Sequence, residues 1–232
     1  MLTLSNFNIL TFLIMSILFL SVYSQIKIKQ DDDLCPKIIG ILCVKNVLLD
    51  IARTADEINI IAHKMEQDIS EYEPTPMTLN DYINDKMKHI QSSKPKSYYH
   101  EQFMNIQNNI NKTDFLHLLQ EEYYAFSYLY NSIQRILKIG NLFSTSMDES
   151  FEEILNNLQK NILCKYRSIF NVYSELWLPI DKIHGMEILI SRKRNAPSFL
   201  YNAYSMIIIR LLYEWIENVN NIASNIDSKY FR

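Results

Sequence analysis

The sequence predicts an all-α fold, an up-up-down-down four-helix bundle of the long-chain type, and three observations carry the prediction. Four segments place apolar residues at spacings of three and four, the repeat of an α-helix with one buried face. Only three glycines occur in 232 residues. That is too few for the tight turns of a sandwich or barrel, or for the phosphate-cradling loops of a dinucleotide-binding fold. The third observation is the pattern of links. A long connection, a short turn and a second long connection join the four segments in that order, and overhand links of this kind let the first two helices run in the same direction. A hydrophobic share of 48% supports one full core, assigned to residues 36–232.

Residues 1–24, MLTLSNFNILTFLIMSILFLSVYS, hold no charged side chain and are almost wholly apolar from Ile9 to Val22. Small residues at Val22 and Ser24 suit cleavage before Gln25, so the segment reads as a signal peptide, with an uncleaved signal anchor as the alternative. Both readings place the remainder outside the cytosol, with 25–35 as a linker. No second apolar run is long enough to insert in a membrane, because Met206–Leu212 is interrupted by Arg210 and followed by Glu214.

The first helix is expected over about 36–73. Pro36 suits its first turn, and Ile41, Val44, Leu48, Ile51, Ala55, Ile58, Ala62, Met65, Ile69 and Tyr72 form its stripe, ended by Pro74 and Pro76. The connection from Thr75 to Lys112 has room for a short helix over Asn80–Ile90, followed by an exposed Ser-Ser-Lys-Pro-Lys loop. The second helix, about 113–139, is expected to be capped by Thr113 or Asp114. It carries Leu116, Leu119, Tyr123, Phe126, Tyr130, Ile133 and Leu137 inward and stops at Gly140. After a short turn comes the third, about 148–177, with Phe151, Leu155, Leu158, Ile162, Ile169, Tyr173 and Leu176 inward and Pro179 closing it. The link 178–196 contains His184, Gly185 and the basic triplet Arg192-Lys193-Arg194, a solvated loop or a site of cleavage. The last helix, about 197–227, turns Tyr204, Ile208, Leu211, Trp215, Val219 and Ile222 to the core and leaves Arg210, Glu214, Glu217 and Asn218 to solvent.

Cys35, Cys43 and Cys164 allow one disulfide and a leftover thiol, or an intermolecular bridge. Eight helical residues rise about 12 Å, beyond disulfide reach, so Cys35 and Cys43 are not expected to pair. A bridge from one of them to Cys164 is expected if the third helix runs antiparallel to the first. No CxxC or Cys/His spacing suggests zinc. Asn111-Lys112-Thr113 is an N-glycosylation sequon, in keeping with secretion.

A formal charge of −3 is too near neutral for a nucleic-acid binder, and the basic cluster Lys27–Lys29 reads as a solvated tail. No catalytic motif, cofactor loop or metal-ligand set is present. His63 and Glu66 read as a surface pair, while His89, His100, His117 and His184 stand alone, so the chain is not expected to be an enzyme.

Several short stretches carry a likeness to a known group. Phe199 stands near the start of the last helix with Trp215 sixteen residues on, within Leu212-Tyr213-Glu214-Trp215-Ile216, and the second helix contains Leu119-Gln120-Glu121-Glu122-Tyr123-Tyr124-Ala125-Phe126. The first helix ends on Glu71-Tyr72 before a proline-bearing link. With these features the chain resembles the long-chain helical cytokines of the ciliary neurotrophic factor, cardiotrophin and leukaemia inhibitory factor group. The resemblance implies a secreted ligand that draws cell-surface receptor chains of the haematopoietic type together. It also implies a receptor contact at Phe199 and Asn202, where Asn202 replaces the lysine of the group's Phe-x-x-Lys motif. Arg210, Tyr166 and Arg167 are further candidates, read as lying on exposed helix faces, and Trp215 is read as core. Two other readings are a secreted carrier of an apolar ligand, which would need a sizeable internal cavity, and a membrane-anchored helical ectodomain.

Overall fold

The structure, a computed structural model, describes residues 35, 43–72, 75–90, 93–105, 110–140, 145–188 and 197–230. The expected leader, nearly all of the linker, the first turns expected from Pro36 and the basic triplet 192–194 lie outside them. The chain divides into two units, Met1–Lys37 and Ile38–Arg232, and every described residue but Cys35 belongs to the second.

The described residues form helices, turns and irregular links, with no strand among them. Helix α1 is Val44–Tyr72, α2 Pro76–Ile90, α3 Tyr98–Asn105, α4 Lys112–Gly140, α5 Thr145–Asn157, α6 Cys164–Tyr173 and α7 Pro197–Tyr230. A π-helical segment, Leu158–Leu163, joins α5 to α6, and a 3-10 turn covers Ile180–Lys182. Helix α1 buries Leu48, Ile51, Ala55, Ile58, Ala62, Met65 and Ile69, the expected stripe. Pro76 opens α2, where its missing N–H is no loss.

Both α1 and α4 pack on α7 and on the α5–α6 segment, while α2 packs on α7 and α3 on α4. Along α1 and α7, Asp56 meets Asn220 while Glu66 meets Tyr213, so the two run antiparallel. Helices α4 and α5–α6 do the same, with Tyr123 bonded to Arg167 and Tyr130 to Gln159. The six expected core residues of α7 are all buried, but the helix is not one-sided. Every residue from Ala203 to Ile209 is buried, since three helices surround this stretch.

The connection 75–112 is more ordered than its sequence suggests, because α2 and α3 occupy most of it. Its Ser-Lys-Pro-Lys turn is held to the body: Pro95 is buried and Lys94 pairs with Glu214 at 3.0 Å. The second link is a strap along α4. Asn131 Nδ2 donates to the carbonyls of Ile180 and Ile183, Arg135 Nη1 to those of Gly185 and Met186, and the Met186 N–H to Ser132 Oγ.

The third helix departs from expectation in two ways. The π-helical segment widens its middle, the Cys164 N–H reaching the Gln159 carbonyl five residues back, while Phe151, Leu158, Ile162 and Ile169 of the expected stripe stay buried. Its end comes at Tyr173, where Ser174 takes a left-handed conformation (φ 55°) and the Glu175 N–H bonds to the Phe170 carbonyl. Leu176, expected inward, is therefore beyond the helix and 85% exposed. Helix α4 is capped by Asn111, not by Thr113 or Asp114: Asn111 Oδ1 accepts from the Asp114 N–H at 2.8 Å, and Asn111 Nδ2 donates to the Asp114 carboxylate. Cys35 and Cys164 form a disulfide, and Cys43 is an exposed free thiol.

Candidate functional site

Of the five residues singled out from sequence, three share a face of α7 and two do not. Phe199, Asn202 and Arg210 are half-buried on α7. Helix α2 lies across two of them. Arg210 donates to Asn80 and Asn84 Oδ1 at 3.1 and 3.3 Å, and the Phe199 ring packs edge-on to Tyr82 at 5.5 Å between centroids. The Lys86 ammonium stands 5.4 Å from the Tyr82 ring centre. Two aromatic rings and a cation thus meet on a partly exposed face, a composition suited to anchoring in a partner's hollow. Burial, then the neighbouring Tyr204, pushes the Tyr82 hydroxyl up to about 12, so it is a neutral donor at physiological pH. Tyr82 and Lys86 were not foreseen, although their spacing of four on a proline-started helix marks them as one face.

Tyr166 and Arg167 are not on an exposed face. Tyr166 is wholly buried, four residues after Ile162 and three before Ile169, and so belongs to the core stripe. Arg167 is buried beside it, its Nε donating to Tyr123 Oη at 3.2 Å and its guanidinium stacked 4.2 Å from the Trp177 ring. The regular 3-4 spacing already sets Tyr166 on the stripe, and Arg167 was read as outward because a charged side chain ordinarily faces solvent.

Tyr166 leads to a buried polar network. Its hydroxyl donates to Glu122 at 2.6 Å, and Glu122 also faces His100 Nε2 at 3.2 Å. Glu121 sits 2.9 Å from His100 Nδ1 and accepts the backbone N–H groups of Tyr99 and His100 as well. One carboxylate from α4 therefore caps the start of α3. Burial alone would lower the His100 pKa, but the hydrogen bonds to Glu121 and Glu122 outweigh it and push the pKa up to about 9. His100 is consequently an imidazolium donating from both nitrogens, not the solitary histidine expected, and the Trp215 ring stands edge-on to it at 5.2 Å. Trp215 is fully buried, as expected. The expected surface pair His63–Glu66 is joined by Tyr213, whose hydroxyl donates to Glu66 and whose ring stacks on His63.

Two grooves lie between these elements. One of about 310 Å³ runs between α3 and α7, lined by Phe103, Met104, Asn218 and Ile222 among others. The other, about 710 Å³, lies between the 93–96 turn and the strap, over Tyr124, Tyr128 and Tyr204. Exposed side chains rim both, so neither is the enclosed apolar chamber a lipid carrier would need. Among the described residues no cluster of three or more His, Cys, Asp or Glu side chains could hold a metal ion, and none of their helices is long and apolar enough to cross a membrane. Comparison with protein families, curated proteins and solved structures found no match to this chain.

Proposed function

We propose that the protein is a secreted helical ligand of cytokine type that acts by bringing cell-surface receptor chains together, with no catalysis of its own. The observation that carries the reading is the direction of its long helices. His100 touches both Glu122 and Trp215, and farther along Tyr128 and Tyr204 share a groove, so α4 rises as α7 falls. Helix α1 is also antiparallel to α7, which makes α1 and α4 parallel neighbours of the same last helix. With α5–α6 antiparallel to α4, the order is up, up, down, down, the arrangement of long-chain cytokine bundles. The disulfide and the apolar leader support an extracellular location.

Such a bundle signals by geometry, since a rigid body holds two receptor ectodomains at a fixed separation. Phe199 is the anchor of one face. The ammonium that the group's motif supplies three residues after the phenylalanine is missing at Asn202, and Lys86 of α2 supplies one beside Tyr82 instead.

The test is binding of the purified protein to a panel of helical-cytokine receptor ectodomains, with Phe199→Ala and Lys86→Ala alongside. A receptor that binds wild type and loses at least about tenfold in affinity with Phe199→Ala, at unchanged helical content, supports the reading. Binding by no receptor, or binding indifferent to both changes, removes this face from the mechanism.

A further inference from the structure

Apart from Lys86, which borders both, the larger groove has a chemistry that the receptor reading does not use. One wall is the turn 93–96, the other the strap residues Gly185–Glu187, and the floor is made of Tyr124 and Tyr128 from α4 and Tyr204 from α7. Both walls are fixed to the body: the turn by the Lys94–Glu214 ion pair, the strap by Arg135 and Ser132. A groove held open from two sides keeps its shape without a ligand, which lowers the cost of binding one. Its volume falls in the range of small-molecule sites.

The polar groups in it are mainly donors. Lys86, Lys94 and Lys96 line it with the one carboxylate of Glu187, and since Glu214 already holds the Lys94 ammonium, Lys86 and Lys96 are the cations left for a ligand. At the floor the Tyr128 hydroxyl is buried and makes no hydrogen bond of normal geometry, although the Ser93 hydroxyl is near enough to affect its acidity. A buried hydroxyl in this condition is costly unless something else accepts its proton. Between rim and floor the surface is aromatic and aliphatic, from the tyrosine rings, Pro95 and Met186.

We propose that this groove binds a small organic anion with a flat aromatic body, its charged head held by the rim lysines and its ring laid over the tyrosine floor with an acceptor toward Tyr128. The two requirements are separable. Cations at the rim select the negative head, and a site that only buried apolar surface would accept a neutral analogue equally well.

The probe is 8-anilinonaphthalene-1-sulfonate, which combines an aromatic body with a sulfonate, compared with neutral N-phenyl-1-naphthylamine. Saturable one-to-one binding is expected by fluorescence, with the neutral dye weaker by about tenfold or more. Lys96→Met, which leaves the Lys94–Glu214 pair in place, should weaken the sulfonate dye by about fivefold. Tyr128→Phe should weaken it by about fivefold without lowering the melting temperature, since removing a buried hydroxyl that lacks a hydrogen bond of normal geometry relieves a cost. These changes avoid Phe199, so receptor binding and dye binding fail independently. Equal affinity for the two dyes, wild-type affinity in both variants, or no saturable binding would overturn the proposal.

Discussion

His100 and Glu122 meet inside the protein, the imidazole Nε2 lying 3.2 Å from a carboxylate oxygen where both side chains are almost completely shielded from water. With Glu121 on the other ring nitrogen, the imidazolium ties α3 to α4. An imidazole at 6.5 in the unfolded chain and about 9 in the folded one binds more protons when folded between those values. Its contribution is therefore complete below about pH 6.5, declines as pH rises, and is gone above about 9. That contribution is on the order of 3 kcal/mol. Urea unfolding across this window should show stability falling with pH in wild type and staying nearly flat in His100→Gln. A wild-type curve as flat as the variant's would show that the imidazole is not held charged.

Gly185 is the tightest point of the strap. A Cβ there would stand 2.5 Å from the Ser132 backbone nitrogen and 2.6 Å from the Asn131 carbonyl carbon, contacts that only backbone movement could relieve. Gly185→Ala should cost about 2–3 kcal/mol in chemical unfolding. A loss below about 0.5 kcal/mol would mean that the strap does not lie against α4 as described.

Asn111 has two competing uses, as the cap of α4 and as the acceptor of the sequon. Asn111→Ala should lower stability by about 1 kcal/mol through the lost cap, even in unglycosylated protein from bacteria. Thr113→Ala abolishes the sequon without touching the cap. In secreted protein it should remove the mass of the glycan and leave the unglycosylated melting temperature in place. Equal destabilisation by the two changes would contradict the capping role.

The cysteines should divide sharply. One thiol per chain, Cys43, should react with a thiol reagent in the native state, and Cys43→Ser should be neutral. Cys164→Ser should cost on the order of 4 kcal/mol, because the bridge to Cys35 closes a very long loop in the unfolded chain. Two or more native reactive thiols would be inconsistent with this pairing.

Most of the helices were legible because burial on one side writes a period into the chain, as in the Leu48-to-Ile69 stripe of α1. The disulfide was legible to within one alternative, a bridge from Cys35 or Cys43 to Cys164. Tyr166 was legible from its 3-4 spacing to Ile162 and Ile169 and was left off the stripe, while Arg167 was not, since an arginine can be buried when its stem packs and its head finds Tyr123 and Trp177. The His100 network was illegible from local pattern because its partners lie on another helix, more than twenty residues away. Tyr82 and Lys86 fall inside the short helix expected over Asn80–Ile90, and they were missed because nothing local says that this helix lies across α7 beside Phe199.

Helix α7 is walled in by α1, α2 and α4, and translation delivers it after all three. A nascent chain stopped before Trp215 can pair α4 with α5–α6, but α1 and α4 then lack the neighbour they share. The trough left between them is lined by residues such as Ile58, Ala62 and Phe126, an adhesive surface while it stays open. Closure joins sequence positions as distant as Asp56 and Asn220, the kind of contact that slows folding. The core can therefore close only after α7 has emerged, and until then the trough stays open.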